Sequence, residues 1–150
     1  MNAVDLAKEW LRYANSDLTT ARHMLEGVYP KETEIVCYHC QQCAEKALKS
    51  HCILKGVEPP KTHDLIALCR LCMTAEDSFS SMLDNCSRLN PYGVAVRYPN
   101  ELAVDETIAK NALVMAQRIY EYCRDLFDKA VMAQASDIYP PKSPDTNPGV

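Results

Sequence analysis

Five of the chain's eight cysteines fall in three-residue steps, Cys37-Cys40-Cys43 and Cys69-Cys72. Cys-x-x-Cys is the spacing of zinc knuckles, where a tight turn converges two sulfurs at about 2.3 Å from the metal. Here Cys40 and Cys43 lie on the apolar stripe of a long helical pattern with no glycine between Val28 and Lys55. Cys72 and Cys86 also take stripe positions. A thiol on such a face behaves as a small hydrophobe, so the cysteines read as core residues. Neither a metal nor another cofactor is expected.

The histidines offer acid/base chemistry, yet His23, His39 and His51 match no metalloprotease spacing. His63, between Thr62 and Asp64, falls at a helix start, where capping competes with function. Cations cluster once: Lys46, Lys49, Lys55 and Lys61 stand against the single acid Glu58. Lys46 and Lys49 share the polar side of one helix, which is either a solvated face or a local anion-binding edge. The net charge of -4 over 150 residues argues against coating nucleic acid through overall charge.

The elements that must position these groups are helical. Val4, Ala7, Leu11, Ala14, Leu18, Ala21, Leu25 and Val28 recur in steps of three and four, predicting a first helix that Gly27 and Pro30 end. A second runs from about Lys31 to Lys55, its stripe built from Val36, Cys40, Cys43, Ala47 and Leu54, with Gly56 as stop. Its opposite surface carries Gln42, Glu45, Lys46 and Lys49. Thr62 is expected to cap a short third helix, and Ala75 to Leu89 reads as a fourth. Val94-Ala95-Val96 is too short to assign. The last helix is expected from Asp105 to about Ala133 with the stripe Ile108, Ala112, Met115, Ile119, Tyr122 and Leu126. The fold class is therefore all-α, an antiparallel up-and-down bundle of about five helices over residues 1–134. Residues 135–150, rich in proline, read as a disordered tail. No apolar run reaches membrane-spanning length. The acidic opening MNAVDLAKEW lacks a signal-like apolar region, so a cytoplasmic location is expected.

Tyr38 to Cys69 resembles the core signature of HEPN domains. In that family a helix reading approximately His-x-Gln-Gln-Ala-x-Glu-Lys-Ala-Leu-Lys-Ala is followed by Gly-x-x-Pro-Pro and Thr-His-Asp-Leu. Gln41, Gln42, Glu45, Lys46, Ala47, Leu48, Lys49, Pro59, Pro60, Thr62, His63, Asp64 and Leu65 match it. Downstream, Arg97, Tyr98 and Pro99 match the family's Arg-Tyr-Pro. The resemblance implies a bundle that dimerises, and links to nucleotide binding or to a minimal nucleotidyltransferase in toxin–antitoxin modules.

Some relatives are metal-independent endoribonucleases with an Arg-x(4–6)-His motif, in which arginine holds the phosphate and histidine moves protons. This chain departs there, since no histidine follows His63. No catalytic residue is assigned. The leading expectation is a non-catalytic homodimer binding a nucleotide, an RNA phosphate or a nucleotidyltransferase partner. Arg97 is expected on phosphate, aided by Lys46, Lys49 and His63, with Tyr98 stacking. The alternative for Arg97 is an internal pair with Glu45. The rival readings are an endoribonuclease of altered active site and a purely structural interaction subunit.

Overall fold

Asn2 starts the first helix. Its side chain accepts from the Asp5 amide at 2.8 Å, while the Asp5 carboxylate accepts from the Asn2 amide at 3.3 Å, a reciprocal capping box. The computed structural model describes residues 1–94 and 104–138. Its elements are α1 (Ala3–Gly27), α2 (Thr33–Leu54), α3 (Leu65–Ala75), α4 (Leu83–Leu89) and α5 (Glu106–Ile138), with no strand among the described residues. None of these helices is long and apolar enough to cross a membrane.

The heptad-like stripe of α1 is the buried one: Ala7, Leu11, Ala14, Leu18, Ala21 and Leu25 all enter the core. Three of these six are alanines, whose small side chains let the α2 backbone approach. Ser50 marks that approach, its hydroxyl donating to the Ala7 carbonyl at 2.7 Å. α2 is the central helix, with 13 of its 22 residues buried, so its burial wraps well beyond a single stripe. Gly56 ends it at φ 75°, and the Val57 amide reaches back to the Cys52 carbonyl at 2.9 Å.

Four expectations are corrected. Asp64 rather than Thr62 caps α3: its carboxylate accepts from the amides of Ile66 at 2.9 Å and Ala67 at 3.3 Å. Thr62 instead accepts from the Asp64 amide. The segment from Ala75 to Leu89 is not one helix, since a 3₁₀ turn at Asp77–Met82 precedes α4. With three residues per turn, that stretch aims Phe79 and Met82 at the core together. On α5 the buried line is Ala109, Ala112, Ala116, Ile119, Cys123 and Phe127. Ile108, Met115, Tyr122 and Leu126 pack at its flanks, because small residues form the close seam and large ones straddle it. α5 also continues to Ile138, beyond the expected end near Ala133.

All eight cysteines are buried. Burial pushes the thiols of Cys40, Cys43 and Cys123 far above their usual range, which keeps them protonated and apolar. His51 is buried as well. Its ring lies 4.5 Å from that of Phe79, and neither ring nitrogen has a hydrogen-bond partner among the described residues.

Desolvation, with a smaller push from Lys55 and an opposing pull from Glu76, lowers the His51 pKa from 6.5 to about 4. Between those values the unfolded chain binds more protons than the folded one. Stability therefore rises with pH across that window, by up to ~1.4 kcal/mol per pH unit. In urea titrations from pH 4 to pH 6.5, His51→Leu should flatten this dependence. Parallel profiles for the two proteins would assign the proton uptake elsewhere.

Candidate functional site: a buried carboxylate beside an exposed imidazole

Gln41, Glu45 and Lys49 stand four apart on α2 and so share one helix face. The polar surface expected there is instead interior: these residues are 0%, 4% and 8% exposed. A carboxylate at such depth needs both a counter-charge and donors. Glu45 has them on separate oxygens: Lys49 Nζ lies 3.3 Å from Oε2, and His63 Nδ1 lies 2.8 Å from Oε1. The lysine also sits over the Trp10 ring, 5.7 Å from its centroid.

His63 arrives because residues 55–64 double back along α2 instead of leading away. The Gln41 side chain donates to the His63 carbonyl at 2.9 Å, and Gln42 donates to the Gln41 side-chain oxygen at 2.8 Å. Asn90 closes the corner from the other side. Its carbonyl oxygen accepts from the Leu65 amide at 2.9 Å, and its amide donates to Asp64 at 3.3 Å. A Cβ at Gly93 would come within 2.9 Å of the Gln41 amide nitrogen, so a larger residue there would push on the side chain that holds the His63 carbonyl. The Thr62–Leu65 segment is thus held through backbone and side chain together.

The His63 side chain is 75% exposed although its Nδ1 partner is buried. A carboxylate on Nδ1 orients the ring and turns Nε2 outward, where it accepts a proton when neutral and donates to an anion when charged. The expected site residues divide accordingly. Gln41, Gln42, Glu45, Lys49, His63 and Asp64 gather at this corner. Lys46 does not join them: its Nζ lies 2.6 Å from Asp17 Oδ2, on the α1 side. Arg97, Tyr98 and Pro99 lie outside the described residues, as does any Arg97–Glu45 pair.

Asp17 anchors a second arrangement of the same composition. Its other oxygen lies 2.8 Å from His39 Nδ1, so each of the two carboxylates takes one imidazole and one lysine. Local spacing could not reveal this pairing, because Asp17 lies 22 and 29 residues from its partners. Beside Lys49 opens a groove of about 590 Å³, lined by Leu6, Trp10, Ile53, Val57, Pro59 and Lys61 among others.

A HEPN domain model matches residues 7–126, and the chain belongs to the HEPN family. The helices, the Gln-Gln and Glu-Lys positions on α2 and the Thr-His-Asp-Leu corner are the parts of that family described above. Two solved structures share the fold. One is the crystal structure of ST0689, an archaeal HEPN homologue, with TM-score 0.65 and 25% identity over 81% of this chain and 97% of that one. The other is TT1696 from Thermus thermophilus, also at TM-score 0.65 and 25% identity, covering 83% of this chain and 98% of that one. No curated protein matches at a significant level.

Glu45→Gln strips Lys49 of its counter-charge and should cost about 3–5 kcal/mol, the usual penalty for orphaning a buried ion. Adding Lys49→Met should return much of that loss, since a similar apolar volume then replaces the ion. Denaturant midpoints of the single and double variants measure both effects. A double variant no more stable than Glu45→Gln alone would refute the charge account.

Proposed function

We propose that this HEPN chain is a binding module for a phosphate-bearing ligand, a nucleotide or single-stranded RNA, recognised at the His63 corner. The observation that carries this reading is an exposed imidazole whose Nδ1 rests on the buried Glu45 carboxylate. As an imidazolium, such a ring offers Nε2–H to a phosphate oxygen with its orientation already set. Arg97 supplies the planar fork that suits phosphate, and Tyr98 a stacking surface. Both assignments rest on the motif they share with the family.

Lys49 supports the site electrostatically through Glu45, and Lys46 plays the corresponding part at Asp17. This geometry favours the two lysines as internal counter-ions over direct phosphate ligands. The module acts as a homodimer and pairs with a minimal nucleotidyltransferase, as the family resemblance suggests. The cytoplasm is the compartment in which such ligands and partners meet it.

The same imidazole favours a second reading, metal-independent cleavage of RNA. A ring held through Nδ1 by a carboxylate is the arrangement of a general base. In this reading His63 does the proton transfer that a histidine after the Arg-Tyr-Pro motif would do elsewhere in the family.

Calorimetric titration of the purified protein with ATP and with a short single-stranded RNA tests binding. His63→Ala and Arg97→Ala should each weaken affinity at least tenfold, about 1.4 kcal/mol. His63→Ala, which also removes the donor to the buried Glu45 Oε1, should lower stability by about 1–3 kcal/mol, so affinities are compared on protein that circular dichroism shows to be folded. Wild-type affinity in both variants would end the binding proposal. Incubating RNA with the protein and a chelator tests the second reading: cleavage no faster than in a mock preparation would end it.

A further inference from the structure

We propose that Cys52 and Cys72 form an oxidisable dithiol, which a hydroperoxide converts to a disulfide joining α2 to α3. Their sulfurs lie 3.7 Å apart in direct contact, and the two residues come from different helices. A disulfide bond is about 2.05 Å long, so closing the pair needs less than 2 Å of sulfur movement. The pairing ignores the Cys-x-x-Cys spacing of α3. Cys69, one turn earlier, turns its sulfur to the Phe79 carbonyl at 3.4 Å, whereas the Cys72 sulfur lies 3.5 Å from the Leu48 carbonyl and 3.7 Å from the Cys52 sulfur.

Both thiols are buried, at 2% and 1% exposure, yet both sit near helix ends. Cys52 lies in the last turn of α2 before the exposed Lys55 and Gly56, and Cys72 lies one turn from the exposed end of α3. Helix termini open locally at low free energy, which gives a small oxidant its access. The two thiols are not equivalent. A hydrogen bond from the Cys72 thiol lowers the Cys52 pKa against the effect of burial, and raises that of Cys72. Cys52, which has the Lys49 cation one turn earlier on the same helix, is assigned as the sulfur that attacks.

The Cys52 thiolate displaces hydroxide from the peroxide, becoming a sulfenic acid. Cys72 sulfur then displaces hydroxide from the Cys52 sulfur, and its proton leaves with that hydroxide as water. In sum two thiols lose two protons and two electrons, and hydrogen peroxide becomes two waters. The new bond closes the loop of residues 53–71, which carries Pro59, Pro60 and His63. Oxidation thus clamps the segment that presents the exposed imidazole.

The test is a peptide map of the full chain after exposure to hydrogen peroxide under native conditions, with remaining thiols alkylated in denaturant. Trypsin releases Cys52 in the peptide Ser50–Lys55 and Cys72 in Leu71–Arg88. The expected product is these two peptides linked, lighter by about 2 Da than their sum and separated by dithiothreitol. Cys86 shares the second peptide, so fragmentation must place the link at Cys72. Amide exchange across residues 62–68 should slow in the oxidised protein. In Cys72→Ser, which retains the attacking thiol, Cys52 should be trapped by a sulfenic-acid reagent. Should that variant fail to fold, the wild-type map decides alone. Both cysteines fully alkylated after peroxide, a link that forms only in denaturant, or a link at Cys86 would overturn the proposal. Unchanged exchange at residues 62–68 would overturn the clamp.

Discussion

A single carboxylate placed inside a helical bundle, that of Glu45, dictates how the surrounding chain is built. Buried charge is tolerated only with a partner and with donors for its remaining lone pairs. The same helix supplies the charge through Lys49, four residues on. It cannot supply the second oxygen's partner without a second buried polar residue on that face, and Gln41 is already committed to the His63 carbonyl. The donor comes instead from outside the helix, and bringing it there forces the chain after Gly56 to turn back. The Gln41 bond to the His63 carbonyl holds the returning chain against α2, while the Asp64 cap and the Asn90 bridge fix the start of α3 that follows it.

Asp17 imposes a parallel constraint on the α1–α2 seam. Alanines along that seam permit close approach but say little about register, because alanine surfaces slide past one another with small changes in contact. A buried carboxylate that must meet His39 and Lys46 at once does discriminate. Sliding α1 by one residue would move Asp17 by about 1.5 Å and rotate it some 100° away from both partners, leaving three polar groups short of bonds. The apolar residues supply the driving force for packing the pair, and the ionic node selects one packing.

Periodicity made the fold legible wherever a helix buries one stripe against one neighbour. α1 is the clearest case, and its alternating steps of three and four mark six residues that the core contains. Legibility failed where that premise failed. α2 is surrounded, so the reading that its charged residues must face water put Glu45 and Lys49 on the wrong side. The four-residue spacing of Gln41, Glu45 and Lys49 was the available signal, because three polar residues in line mark a face as surely as three leucines do. On α5 the periodic signal is carried by large residues, while Ala109 and Ala116 mark the seam by being small. The Asp17 node and the return of His63 were beyond reach, since pairings across helices depend on how helices dock and leave no local period.

At 25% identity the shared property of the solved relatives and this chain is the bundle, so the chemistry has to be argued from the corner itself. That corner is assembled wholly from one chain: the imidazole, its carboxylate, the counter-ion and the amides that hold the turn all lie between Gln41 and Gly93. An exposed histidine on a free loop would lose rotamer and backbone freedom on meeting a ligand, and that loss would subtract from affinity. Here the ring is already fixed through Nδ1 and the backbone through Gln41. The ordering cost is met when the chain folds, by the same bonds that solve the burial of Glu45. A polar defect in the core and a preorganised group at the surface are therefore two ends of one structure.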